Sequence, residues 1–107
     1  MTDKIVVLCT CGSAEDAERI SGALVESRAA ACVNIVPGLT SVYRWQGAIE
    51  RSSEWLLVIK SRRGLFERLR AEIEKLHSYE VPEIVALPIV DGAEAHLAWL
   101  DRETGPG

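Results

Sequence analysis

Residues 32–60 read CVNIV-PG-LTSVYRW-QG-AIERSSEWLLVIK, and this stretch decides the fold. Cys32–Val36 is a β-branched run of the kind that prefers extended backbone. Pro37-Gly38 interrupts it, because proline lacks a donor and glycine accepts positive φ. Leu39–Trp45 continues extended, with Tyr43 and Trp45 on one face and Val42 and Arg44 on the other. Gln46-Gly47 is the strongest turn signal before the next run, Ile49–Lys60. That run closes on Trp55–Ile59, apolar on both faces. Two extended runs around a tight turn predict a long hairpin with its tip near Gly47.

On the N-terminal side, Ile5–Cys11 is a short strand that is apolar on both faces, ended by Gly12. Ser13 can cap a helix, and Glu15 and Asp16 suit the positive end of its dipole. Ala17, Ile20, Leu24 and Ala31 lie near one face, which predicts a helix over residues 14–28. On the C-terminal side, Leu65, Phe66, Leu69, Ile73 and Leu76 recur at helical spacing, with Arg63, Glu67, Arg70 and Glu74 opposite. His77-Ser78 lies at that helix's end, and Pro82 prevents continuation. Glu83–Val90 reads as a fourth strand, with Pro88 marking a sheet edge. Asp91-Gly92-Ala93-Glu94 resembles a capping box for a short last helix through Leu97, Trp99 and Leu100. Residues 103–107 read as a loose tail.

The order β-α-β-β-α-β plus a helix predicts an α+β, ferredoxin-like sandwich in one domain, residues 1–107. Helices cover one face of such a sheet. The first, third and fourth strands are apolar on the other face too, which predicts self-association, since monomers expose few large apolar patches.

Composition narrows the function classes. The 107 residues are 48% hydrophobic and 26% charged, which fits a single globular core and excludes a disordered chain. A net charge of -4 opposes nucleic-acid and anionic-membrane partners. No apolar run is long enough to span a membrane, and Met1–Lys4 has no signal-peptide character. Three cysteines in so short a chain fit a reducing cytoplasm better than a disulfide scaffold.

Several stretches together carry a family resemblance: Val6–Thr10, Ala30–Ile35, Ser41–Glu50, Glu54 with Ile59-Lys60-Ser61, His77–Ile84 and Leu97–Leu100. In this order and spacing the chain closely resembles the divalent-cation tolerance (CutA) proteins over residues 5–100. The resemblance implies a tight homotrimer, similar in architecture to PII signalling proteins. It also implies a part in the response to heavy-metal cations and binding of copper. Members proposed to bind copper use a cysteine of the first strand and histidines just before the Tyr-x-x-Pro-Glu segment. Carried over, these are Cys9 and His77. Where some members have two adjacent histidines, this chain has Leu76 and His77, so copper binding is expected to be weak.

Read by their chemistry, Cys9 and Cys11 share one strand face, and soft thiolates suit Cu(I). A bridge between them is disfavoured by their spacing of roughly 7 Å and parallel side chains. Small core hydrophobes are the alternative for both. His77 offers an imidazole to a metal or a positive charge to a helix C-terminus. Glu50, Glu54, Glu80 and Glu83 would form an acidic cleft for other divalent cations if assembly brings them together. The basic residues around the second helix alternate with acids and read as a solvated face. Tyr43, Trp45, Trp55, Tyr79 and Trp99 are anchors for subunit contacts.

No Ser-His-Asp order, phosphate-cradling glycine loop or catalytic carboxylate pair is present, so the chain is not expected to be an enzyme. The turn Cys11-Gly12-Ser13 lacks the arginine that an acylphosphatase-like enzyme of this topology needs. The expected function is a cytoplasmic trimeric protein of divalent-cation tolerance that binds copper. The alternative is a PII-like signalling module with a small metabolite at its inter-subunit clefts.

Overall fold

The computed structural model describes residues 2–105. Met1 and the last two residues of the expected tail lie outside that range. In chain order the elements are β1 (Lys4–Cys11), α1 (Ala14–Glu26), β2 (Cys32–Trp45), β3 (Ala48–Arg62), a 3-10 turn (Arg63–Leu65), α2 (Phe66–Leu76), β4 (Val85–Pro88) and α3 (Glu94–Arg102). The four strands form one antiparallel sheet in the order β2-β3-β1-β4. This is the expected βαββαβ arrangement.

Local chemistry sets the element ends. Ser13 is extended and its hydroxyl accepts the Asp16 amide at 3.1 Å, which starts α1. The helix ends at Glu26, two residues short of the expected end, because Arg28 turns left-handed (φ 66°). Gln46 and Gly47, with φ of 49° and 84°, close the hairpin in a turn whose twist matches its strands. Pro37-Gly38 does not break β2. A register shift between Val36 and Leu39 absorbs the pair as a bulge, with Gly38 at φ 78°. The capping box expected at Asp91 does not form: Asp91 accepts the Gly92 amide, and Ala93 precedes α3 without a side-chain cap.

β1 alternates. Ile5, Val7, Cys9 and Cys11 are buried beneath the helices, and Val6, Leu8 and Thr10 are half-buried on the open face. Leu57 and Ile59 of β3, Ile20 and Leu24 of α1, and Leu69 and Ile73 of α2 complete the core. Each large apolar side chain so buried contributes about 1.5–3 kcal/mol relative to exposure. The open face is apolar as expected: Val36, Val85 and Leu87 are exposed there. β4 is shorter than expected and lies at the sheet edge, which suits Pro88.

The C-terminal segment is docked where a loose tail was expected. Thr104 and Gly105 are buried, Gly105 donates to the Arg28 carbonyl at 3.0 Å, and the Thr104 hydroxyl donates to the Leu100 carbonyl at 2.8 Å. Arg28 and Arg62 fasten it further through the carbonyls of Gly105 and Thr104. Arg70 pairs with Glu67 and Glu74, and Arg68 with Glu72, so these basic residues of α2 belong to a solvated charged face.

Candidate metal centre

Strand alternation puts Cys9 and Cys11 on the helix-covered face of β1, and both are fully buried and free. His77 follows the last residue of α2 and caps it by donating its backbone N–H to the Ile73 carbonyl. The chain reversal there swings the imidazole against the end of β1. Donor atoms of Cys9, Cys11 and His77 all lie within 4.8 Å of one another. This is the one such cluster of three among the described residues.

Each thiol acts on the other. Cys11 is pushed below the usual thiol range by the hydrogen bond from Cys9, against the cost of burial. Cys9 is pushed up by that same partnership and then by burial. Two soft sulfur donors at this separation suit a soft ion.

The imidazole is committed to the backbone. His77 Nδ1 accepts the Tyr79 amide at 3.0 Å, so Nε2 carries the proton and donates to the Thr10 carbonyl at 2.7 Å. Its ring lies 4.7 Å from that of Tyr79. A metal gains His77 as a ligand only when one of these bonds is given up.

The other expected residues fall elsewhere. Cys32 is on the open face, with its sulfur 3.9 Å from Asn34 Oδ1. Glu50, Glu80 and Glu83 are exposed, whereas Glu54 is only 6% exposed on the open face. Tyr43 and Trp45 share that face near the hairpin tip and are exposed. Trp55 instead packs against the core beneath the helices. Trp99 is half-buried and stacks on the exposed His96 at 5.8 Å.

Tyr79 joins the two sides. It passes over Gly12, where a Cβ would lie 2.8 Å from its hydroxyl, and donates to Glu54 Oε2 at 2.5 Å. Burial and the Glu54 carboxylate hold the phenol proton in place. Sequence reading missed this pairing. Its one trace is a glutamate set beside the apolar run 55–59.

Fold and site define a class: a ferredoxin-like α+β protein with a buried dithiol and an imidazole at one end of its central strand. The profile of the CutA1 divalent ion tolerance protein family matches residues 5–103. The divalent-cation tolerance protein CutA of Thermus thermophilus is 54% identical over 100 residues, covering 94% of this chain and 97% of that protein. A solved structure of the Thermus thermophilus divalent cation tolerance protein superposes with a TM-score of 0.93 at 53% identity, covering 95% of this chain and 99% of that one. The chloroplastic protein CutA of Arabidopsis thaliana is 44% identical over 94% of this chain, which spans 55% of that relative's length. This chain belongs to the CutA1 divalent ion tolerance family. The family is named for tolerance and not for a reaction. No helix among the described residues is long and apolar enough to cross a membrane.

Proposed function

We propose that this protein contributes to divalent-cation tolerance by holding copper weakly at Cys9 and Cys11, with His77 as the adjacent third donor, in a cytoplasmic homotrimer. One observation carries the reading: two buried thiols and an imidazole converge within 4.8 Å. Thiolates select copper over magnesium or calcium, which prefer oxygen. Binding is weak for a physical reason, since the ion must displace the Cys9 proton and His77 must leave the Thr10 carbonyl or the Tyr79 amide. The trimer is the assembly that the family resemblance implies. Exposed Val36, Val85 and Leu87 on the open sheet face, with Tyr43 and Trp45 on the hairpin, support self-association.

Copper titration of the wild type against Cys9→Ser, Cys11→Ser and His77→Ala, with Cys32→Ser as control, tests the site. We expect loss in either of the first two variants, partial loss in the third and none in the control. Equal binding by all four variants removes the site. Light scattering at micromolar concentration tests the assembly, and a mass near one chain refutes it.

A further inference from the structure

The donor set at the end of β1 does not match the divalent ions for which the family is named. Zinc takes four ligands, and Cu(II) takes a square or tetragonal set of nitrogen and oxygen donors. The cluster offers two sulfurs and one imidazole, and no aspartate or glutamate among the described residues joins them within 4.8 Å. The imidazole is already engaged at both nitrogens, by the Tyr79 amide at 3.0 Å and by the Thr10 carbonyl at 2.7 Å. Asp16, at the start of α1, is held by Ser78 and Arg19. Bulk water does not reach the thiols to complete a shell, because Cys9 and Cys11 are both 0% exposed beneath the helices. A divalent ion placed here is short of ligands even after His77 gives up a backbone bond.

Two sulfurs alone satisfy a different ion. Soft thiolates select Cu(I), whose filled d shell makes no demand for four or six ligands. A metal–sulfur bond is about 2.3 Å, so two laid end to end span about 4.6 Å. The Cys9 and Cys11 sulfurs are no more than 4.8 Å apart, which allows both to reach one ion. We propose that Cys9 and Cys11 take a monovalent soft ion, Cu(I), between two thiolates, and that His77 keeps its bonds to the backbone. The proposal deepens the copper reading above and rests on it. The step exchanges protons and no electrons: Cu(I) and two thiols give the bis-thiolate complex and two protons, and the copper arrives already reduced. The complex carries one negative charge. The N-terminus of α1 lies beside it, since the helix starts at Ala14, three residues after Cys11, and the positive end of a helix dipole favours an anion.

The test is anaerobic titration of the reduced full-length protein with Ag+, a redox-inert monovalent probe, and with Cu(I) as its acetonitrile complex, followed by thiolate charge-transfer absorption. Zn2+ is titrated in parallel. Saturable binding of Ag+ and Cu(I) is expected, with Zn2+ at least about hundredfold weaker. X-ray absorption of the Cu(I)-loaded wild type is expected to show two sulfur neighbours and no nitrogen or oxygen. Cys9→Ser and Cys11→Ser, each checked for native circular dichroism, are expected to lose at least about hundredfold in Cu(I) affinity, and Cys32→Ser is expected to retain it. Zn2+ within about tenfold of Ag+, or a nitrogen or oxygen neighbour on Cu(I), overturns the proposal and leaves the copper reading standing. Cu(I) affinity retained in Cys11→Ser but lost in Cys9→Ser also overturns it, since Cys9 then works with the imidazole. Equal Cu(I) affinity in wild type and both cysteine variants overturns the copper reading and this proposal together.

Discussion

Tyr79→Phe removes one oxygen and leaves the ring in place over Gly12. What is lost is the donor to Glu54 Oε2, now 2.5 Å away. A hydrogen bond to a charged group contributes about 1.5–3 kcal/mol, and Tyr79 is only part-buried, which places the loss near the lower end. The acceptor is the larger concern, because Glu54 is 6% exposed and has no ion-pair partner among the described residues to fall back on. For a chain of about 100 residues each kcal/mol moves the melting temperature by about 4 °C or more, so a fall of about 6 °C is expected. The assay is thermal and urea unfolding at one fixed protein concentration, since assembly makes apparent stability depend on concentration. The double variant Tyr79→Phe, Glu54→Gln completes a cycle. A coupling of at least about 1 kcal/mol is expected between the two changes, because they touch one bond. A melting temperature within about 1 °C of wild type for Tyr79→Phe, or additive changes in the cycle, would refute the account of Glu54 as a carboxylate that depends on this phenol.

Asp16 is held below its usual range by the Ser78 hydroxyl first and then by Arg19. Its folded pKa lies below the unfolded value of 3.8, so its contribution is complete above about pH 4 and is lost as pH falls through the folded pKa. Asp16→Asn is therefore expected to flatten the acid limb of the stability curve between about pH 2 and 5, and an unchanged acid limb in chemical unfolding would contradict this. Trp45→Ala is expected to weaken assembly by about 2 kcal/mol or more, as central interface aromatics do, while leaving the far-ultraviolet circular dichroism intact. Trp45 is 44% exposed at the hairpin tip and is outside the core cluster, so unchanged subunit dissociation would remove it as a contact residue.

The elements were legible wherever local period carried the information. The spacing of Leu69 and Ile73 puts both on the buried face of α2, and the two-residue spacing of Cys9 and Cys11 puts both thiols on one face of β1. Features set by remote partners were not legible. Pro37-Gly38 reads as a break, and only the pairing of β2 with β3 shows that a register shift retains both halves in one strand. Glu103, Thr104 and Gly105 read as tail because their tethers, Arg28 and Arg62, are about 40 residues or more away. By residue type Trp55 reads as an anchor for subunit contacts, yet its odd position, in phase with Leu57, sends it under the helices. At the site, the convergence of thiols was readable from the strand. The occupation of both His77 nitrogens was not, since their partners are the backbone of Thr10 and Tyr79.

Residues 77–79 straddle the end of β1, and this governs how variants at the metal centre must be read. His77 holds the Thr10 carbonyl, Ser78 bonds Asp16 at the start of α1, and Tyr79 reaches over Gly12 to Glu54 on the open face. A substitution that truncates a side chain within this segment disturbs both faces at once. A loss of copper in His77→Ala therefore mixes a lost donor with a displaced Tyr79, and is weaker evidence for ligation than a loss in Cys9→Ser. Cys9 and Glu54 lie on opposite faces of the sheet and share no hydrogen bond among the described residues. Their side chains are separated by the backbone of β1 and β3, whose ladder fixes both positions. Glu54 is nevertheless one of the charges that push the Cys9 thiol up, so a change at Glu54 reaches the thiols as well. Cys9→Ser removes a donor and leaves residues 77–79 unaltered, and it is the variant on which ligation should be judged.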